Sequence, residues 1–277
     1  MPQSPELDTT FLIETASSVM AHVGTAEFSD ALLRAIVQIV PHNSMLIIGA
    51  ERGGGPILLC DRLDEAERPA FYDIYLKGAY LLAPGYRAAQ DTDISGVWSL
   101  RDVFPGDIAE SDYFKVYWRE TGMIDELFMF TRLDNDRTVW LALGRYGENV
   151  PFGDLSVPFS AEDISRLNLV EPIFREATRK NWQGRELSDQ DTIQPQPDHD
   201  HNRKMMDNFA KDQLSPREFD VCQKLLRGHS SKSAARDLGI SPETERIHRR
   251  RIFNKLSVSS HVELMALFVE SLSSEAQ

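Results

Sequence analysis

The sequence predicts two domains: an α+β N-terminal domain, in which helices lie on the faces of an antiparallel sheet, and an all-α C-terminal domain of four helices. Three observations predict this division. A chain of 277 residues exceeds the usual size of one domain. Helical and strand-like spacings of apolar residues occur together as far as about residue 184, whereas only helical spacing occurs after residue 209. A polar segment separates the two regions.

The N-terminal domain is predicted over residues 1–184. Its elements follow in the order helices, hairpin, helices, hairpin, helix, which is typical of an antiparallel sheet covered by helices. Ser160 and Asp163 form the capping-box pattern at the start of the last helix. Helices are predicted near 11–20, 28–40, 64–78, 108–121 and from Ser160 onward, strands at 44–50, 56–60, 124–132 and 137–146, and irregular chain over 79–107.

Residues 185–208 are predicted to be a linker. They are polar, contain Pro195 and Pro197, and have no apolar periodicity. The C-terminal domain then occupies residues 209–277.

The charge of the chain is unevenly distributed. The net charge is −13, yet residues 214–256 contain ten Lys or Arg against five Asp or Glu, which gives +5 there and −18 elsewhere. Such asymmetry indicates a nucleic-acid-binding module attached to an acidic domain with a different task.

Helix-start patterns divide the C-terminal domain. Ser215 is predicted to cap a helix with Pro216 at its first position, and Glu218 completes the capping box. Ser230 is predicted to cap a short second helix that ends at Gly239, and a third helix begins at Ser241. Two short helices joined by a glycine-containing turn are the helix-turn-helix signature, in which the second helix of the pair enters the major groove of DNA.

The third helix has two faces of opposite character. At helical spacing, Glu245, His248, Ile252 and Leu256 point inward, and the opposite face is predicted to be exposed. On that face Arg246, Ile247 and Arg250 are predicted to read bases, because guanidinium groups bind guanine edges and an aliphatic group contacts the thymine methyl. The flanking residues suit phosphate contacts, which position the protein without specifying sequence; they are Lys232, Thr244, Arg249, Arg251 and Lys255.

The segment LSPRE…LLRGHSSKSAARDLGISPETERIHRRRIFNKLSVSSHVEL resembles the LuxR-type DNA-binding domain over about 57 residues. The resemblance implies a transcription regulator that binds an inverted repeat in double-stranded DNA as a homodimer. A fourth helix mediates dimerisation in that family. Here Ser260 and Glu263 are predicted to cap it, and its apolar surface is formed by Val262, Met265, Phe268, Val269 and Leu272.

Three residues depart from the family pattern. Glu245 occupies an inward apolar position, so we expect it to meet Arg249 or another cation, because a buried unpaired carboxylate is costly. Ala234 replaces a larger aliphatic residue. Ser257 replaces a helix-ending glycine, at a cost of roughly 1 kcal/mol.

The N-terminal domain resembles the autoinducer-binding domains of quorum-sensing LuxR proteins, which are related in shape to GAF and PAS sensors. Phe71, Tyr75, Ala83 and Trp98 lie at nearly the spacing of landmark positions in that family. The resemblance implies a small-molecule cavity lined by Phe71, Tyr75, Trp98 and Trp118. Ala83 replaces the acidic residue that accepts a hydrogen bond from the signal's amide, so the effector is expected to differ from an acyl-homoserine lactone.

Other interpretations stay open for the N-terminal domain. It could serve only protein interaction or dimerisation, it could bind acyl-homoserine lactone in an atypical pocket, or it could be an enzyme. A phosphoacceptor receiver domain is disfavoured because the chain opens with two helices rather than with a strand carrying paired acidic residues. Simple ligand binding without turnover would distinguish a sensor from the enzyme and interaction alternatives.

The sequence gives little indication of catalysis or of targeting. No catalytic motif appears, so an enzyme is not expected, and neither a metal nor a cofactor is predicted. The polar N-terminus and the lack of a long apolar run predict a cytoplasmic protein with no membrane partner and with two reduced cysteines. RNA polymerase is a further candidate partner.

Overall fold

The computed structural model describes residues 8–63, 68–76, 78–91, 93–104, 108, 111, 113–146, 157–187, 199–227 and 231–274. The chain divides into two compact units. The first comprises Met1–Arg68, Pro84–Gly106 and Thr121–Gln196, and the second comprises Pro69–Ala83, Asp107–Glu120 and Pro197–Gln277. This grouping differs from two contiguous domains, since two N-terminal segments cluster with the C-terminal helices.

The secondary structure is mixed in the first half of the chain and helical after the last strand. The strands are β1 (Ser44–Glu51), β2 (Pro56–Asp61), β3 (Gly96–Ser99), β4 (Met123–Arg132) and β5 (Arg137–Tyr146). The α-helices are α1 (Thr9–Ala21), α2 (Phe28–Ile39), α3 (Arg68–Ala70), α4 (Pro84–Ala89), α5 (Leu100–Val103), α6 (Arg119–Thr121), α7 (Ala161–Trp182), α8 (His199–Asn208), α9 (Pro216–Leu226), α10 (Ser231–Asp237), α11 (Pro242–Lys255) and α12 (His261–Ser274).

The first unit is an antiparallel sheet with helices packed against it. The strand order is β2-β1-β5-β4-β3, and on β1 and β5 Ile47 lies opposite Leu141. Because side chains alternate along a strand, one face of the sheet presents a continuous apolar set. That set, which includes Ile47, Leu127 and Leu141, packs with residues of α1, α2 and α7, among them Leu32 and Phe174. The predicted α+β class is confirmed.

Polar contacts fix the start of α7 on the sheet. Ser160 and Asp163 form the predicted capping box. The Arg145 guanidinium, whose side chain is 4% exposed, lies 3.2 Å from the Asp163 carboxylate and donates to the Pro41 carbonyl at 2.8 Å. Burial of this charge is tolerated because the guanidinium is both paired and hydrogen-bonded.

Two predictions of irregular chain are wrong. Residues 79–107 include β3, which pairs with β4 and places Trp98 opposite Phe128. The two apolar residues of this strand, Val97 and Trp98, are adjacent, so no alternation reveals it. Residues 199–208, expected within the linker, form α8, in which Met206 is buried. The 10-residue helix was missed because its sequence offers few apolar positions.

The predicted helices at 64–78 and 108–121 are only partly described. Each contains a π-helical turn, Phe71–Tyr75 in the first and Phe114–Trp118 in the second. None of the described helices is long and apolar enough to cross a membrane. Cys222 is buried and Cys60 is half-buried, and neither forms a disulfide bond within the described part of the chain.

Candidate nucleic-acid interface

The start of α9 is fixed by the predicted capping box. Ser215 donates through its backbone N–H to Glu218 Oε2 at 2.9 Å, and Pro216 occupies the first turn. The Lys255 ammonium donates to the same oxygen at 2.7 Å. These bonds lower the pKa of the Glu218 carboxyl group to about 2, with the Lys255 bond contributing most. The contact ties the start of α9 to the end of α11.

The predicted helix-turn-helix pair is present in α10 and α11. Ala234 and Ala235 are buried on the inner face of α10. Gly239 makes the turn with φ +64°, a conformation that favours glycine. Ser241 then caps α11, because its hydroxyl accepts the Thr244 backbone N–H at 3.0 Å. The predicted cap of α10, Ser230, lies outside the described residues.

The faces of α11 are those that the sequence predicts. Glu245 and Ile252 are fully buried, whereas Arg246, Ile247 and Arg250 are exposed. Ile247 is 50% exposed, which is high for a large aliphatic side chain. An exposed aliphatic group between two guanidinium groups gives the surface the chemistry of a base-reading face.

The five predicted phosphate contacts have different environments. Lys232 and Arg251 are exposed. Thr244 is half-buried, and its hydroxyl lies 2.8 Å from that of Ser241. Lys255 carries the ion pair with Glu218. The fifth residue, Arg249, is half-buried beside α11's inner face.

Glu245 has the partner that the sequence predicts. The Arg249 Nε atom lies 3.9 Å from Glu245 Oε1, and the Glu245 side chain is 0% exposed. Within the described part of the chain neither carboxylate oxygen of Glu245 has a hydrogen-bond partner. Arg249 therefore supplies a counter-charge to a buried carboxylate.

Two residues on the outward face of α11 escaped the sequence analysis. Glu243 and Asn254 are exposed at helical spacing from Ile247 and Arg250. A helical wheel of the whole helix, rather than of its basic residues alone, would have found both.

The fourth helix, α12, begins as predicted. The Ser260 hydroxyl accepts the Glu263 backbone N–H at 3.1 Å. Met265 and Phe268, expected on a dimer surface, are instead fully buried within the unit, and the Phe268 ring meets the Phe209 ring edge-on at 5.4 Å. The side chains of Val262 and Leu272 lie outside the described set, and Val269 is half-buried.

Three of the four predicted ligand-site aromatics lie in one cluster. Phe71 stacks on Tyr75 at 5.1 Å, Tyr75 lies 5.5 Å from Tyr117, and Tyr113 links Tyr117 to Trp118. Phe71, Tyr75 and Trp118 are all buried in this aromatic cluster.

The fourth predicted ligand-site aromatic, Trp98, belongs to the first unit. It is half-buried on β3 and donates its ring N–H to the Ser95 carbonyl at 2.7 Å. Ala83, at the position of the family's acidic residue, is buried.

The chain is similar in sequence to known regulatory proteins. The family described as bacterial regulatory proteins, luxR family, matches residues 212–268. A protein of Aeromonas salmonicida, named as an HTH-type transcriptional regulator in the exeN 3′ region, is 29% identical over 181 residues, which cover 64% of this chain and 88% of that protein. The Escherichia coli transcriptional regulatory protein UhpA is 44% identical over 54 residues, which cover 20% of this chain and 28% of UhpA.

The N-terminal fold also has a solved counterpart. The VqsR LBD domain from Pseudomonas aeruginosa is similar with a TM-score of 0.50 and 22% identity, covering 61% of this chain and 94% of that domain. This likeness concerns the fold. The capped helix-turn-helix pair, the basic face of α11 and the sequence match together identify residues 212–268 as a DNA-binding domain of the luxR family of bacterial regulatory proteins.

Proposed function

We propose that the chain is a sequence-specific DNA-binding transcription regulator, controlled by a small molecule that its N-terminal domain binds. The observation that carries the proposal is the outward face of α11, where Arg246, Ile247 and Arg250 are exposed on a helix whose other face is buried. The sequence likeness to named transcriptional regulators supports a binding role rather than catalysis.

The proposed readers are Arg246, Ile247 and Arg250. Guanidinium groups bind guanine O6 and N7 in a bidentate manner, and an aliphatic side chain contacts the thymine methyl. Lys232 and Arg251 are exposed and suit phosphate contacts. Thr244, Arg249 and Lys255 have partners within the domain, so their contribution to phosphate binding is expected to be smaller.

Matched substitutions test these roles. Arg250→Ala should cost about 1–3 kcal/mol of binding free energy and relax the preference at one base pair. Lys232→Ala should weaken binding evenly across sequences and flatten the dependence of affinity on salt. Binding of both variants to a randomised-operator library provides the measurement. Identical selection profiles for the two variants would contradict the division of roles.

The proposed sensor is the N-terminal domain predicted over residues 1–184. Aromatic side chains provide large contact areas with few rotatable bonds, and Phe71, Tyr75, Trp98 and Trp118 are proposed to contact the effector. The Ala83 side chain supplies no acceptor for an amide N–H, so the proposed effector is a partly apolar metabolite other than an acyl-homoserine lactone.

Tryptophan-fluorescence titration beside a reporter assay tests the sensor. Trp98→Ala should lower the affinity for an effector identified by thermal-shift screening and abolish the transcriptional response, while effector-independent DNA binding stays nearly intact. Tight binding of an acyl-homoserine lactone would overturn the proposed effector class. Regulation without any small-molecule binding would favour the alternative, a module for protein interaction or dimerisation.

The proposed partners follow from the DNA site. Helix-turn-helix proteins read inverted repeats as symmetric dimers, so the proposed functional form is a homodimer on double-stranded DNA in the cytoplasm. RNA polymerase remains a candidate contact at promoters.

A further inference from the structure

An acidic residue occupies the outward stripe of the recognition helix. Glu243, Ile247, Arg250 and Asn254 follow one another at intervals of four, three and four residues, which places them on a single face of α11. All four are exposed, and the Glu243 side chain is 83% exposed. The stripe therefore presents a carboxylate, an aliphatic group, a guanidinium group and an amide in that order.

A carboxylate on this surface needs a chemical reason. DNA carries one negative charge per phosphate, so an acidic side chain on the approaching face opposes binding. The repulsion is offset where the carboxylate accepts a hydrogen bond from a base. In the major groove the exocyclic amino group of cytosine is the donor that Glu and Asp bind.

The position of Glu243 within α11 fits such a contact. Residues near the N-terminus of a recognition helix reach the base edges, and Glu243 lies in the first turn. Its Oε2 atom is 4.0 Å from the Arg246 Nη1 atom. A carboxylate and a guanidinium side by side match the donor of cytosine and the acceptors of guanine on the same or a neighbouring base pair.

We propose that Glu243 is a specificity-determining residue that selects a cytosine beside the guanine bound by Arg246. This inference rests on the proposed DNA-binding function. Another role for a carboxylate in the first turn is stabilisation of the helix dipole. The two roles predict opposite effects of removing the carboxylate. If Glu243 binds cytosine, its removal weakens binding to the selected operator. If Glu243 serves only the helix, its removal lessens the repulsion of the phosphates and strengthens binding to every sequence.

The test is selection of a randomised operator by the full-length protein and its Glu243 variants. Glu243→Ala should abolish one cytosine preference and reduce discrimination at that position on the order of ten-fold. Glu243→Gln should change the preferred base from cytosine to adenine, since Gln pairs with adenine N6 and N7. Asp212→Ala, which removes an exposed carboxylate outside α11, should leave every base preference unchanged.

The outcomes separate this inference from the proposed function. If Glu243→Ala binds all sequences more tightly with unchanged base preferences, Glu243 serves only the helix and the inference is wrong. If the unmodified protein selects no operator from the library, the proposed function itself fails. Circular dichroism shows whether Glu243→Ala loses helix. If it does, Glu243→Gln still provides the test, because a switch of the preferred base to adenine requires a folded α11.

Discussion

Ser257 has a left-handed backbone, with φ +56°, directly after α11. The conformation closes the helix, because the Val258 N–H donates to the Phe253 carbonyl at 3.0 Å. A side chain with a Cβ atom is strained in this region, whereas glycine is not. The sequence identified Ser257 as a departure from a helix-ending glycine, and its backbone has the conformation that such a glycine would adopt.

Ser257→Gly should therefore raise the free energy of unfolding by about 1 kcal/mol, because glycine relieves the backbone strain. In the described part of the chain, the substitution removes no hydrogen bond of the Ser257 side chain. Urea denaturation measures the change. Ser257→Ala serves as the control and should give no such gain, since alanine has the same Cβ atom. Equal stability of the Gly and Ala variants would show that the backbone is unstrained.

Individual side chains were predictable to different degrees. The Glu245–Arg249 contact follows from helical spacing, since residues four apart are neighbours on a helix. Glu243 and Asn254 lie on the outward face at the same spacing, but neither carries the positive charge that indicates a DNA-binding face. The burial of Met265 and Phe268 depends on the packing of α12 against other helices, which helical periodicity by itself does not specify.

At the scale of elements, the ion pair between Glu218 and Lys255 joins α9 to α11. The two residues are 37 positions apart, so no local pattern reveals the contact. The capping box of α9 was predictable because its partners lie within one turn. The short strand β3 was not, since its identity depends on pairing with β4.

The ion pair between Glu218 and Lys255 makes the free energy of unfolding depend on pH. The Glu218 pKa is about 2 in the folded protein and 4.5 ordinarily. Because the folded pKa is lower, the stabilisation is fully present above pH 4.5 and is lost as the pH falls towards 2. Glu218→Gln should thus be less stable than the unmodified protein at pH 6, and the difference should shrink below pH 4.5.

Urea denaturation of both proteins between pH 6 and pH 3 measures this difference. Lys255→Met is a second test, because loss of the ammonium group returns the Glu218 pKa towards its ordinary value and weakens the pH dependence. A stability difference between Glu218→Gln and the unmodified protein that is constant over this range would show that Glu218 does not titrate as described.

At the scale of the whole molecule, the fold class of both parts was predictable from the order of the patterns, whereas the grouping of segments was not. Pro69–Ala83 and Asp107–Glu120 cluster with the C-terminal helices, and sequence analysis assigns domains as continuous stretches. Long-range packing decides such a grouping, and neighbouring residues carry no signal of it.

The proposed homodimer predicts a two-part footprint. Two symmetric copies of α11 should protect half-sites about one helical turn apart, near 10 bp from centre to centre. Nuclease footprinting, together with the mass of the protein–DNA complex, checks both the spacing and the stoichiometry. Protection of a single half-site by one protein chain would contradict the dimer.

Sequence-specific DNA recognition is the central claim, and the ratio of two dissociation constants tests it most directly. The full-length protein is titrated at one fixed salt concentration against the operator that it selects and against a scrambled duplex of the same length. The account predicts binding to the operator at least about 10³-fold tighter than to the scrambled duplex, as for other specific regulators. Equal affinity for the two duplexes would contradict it.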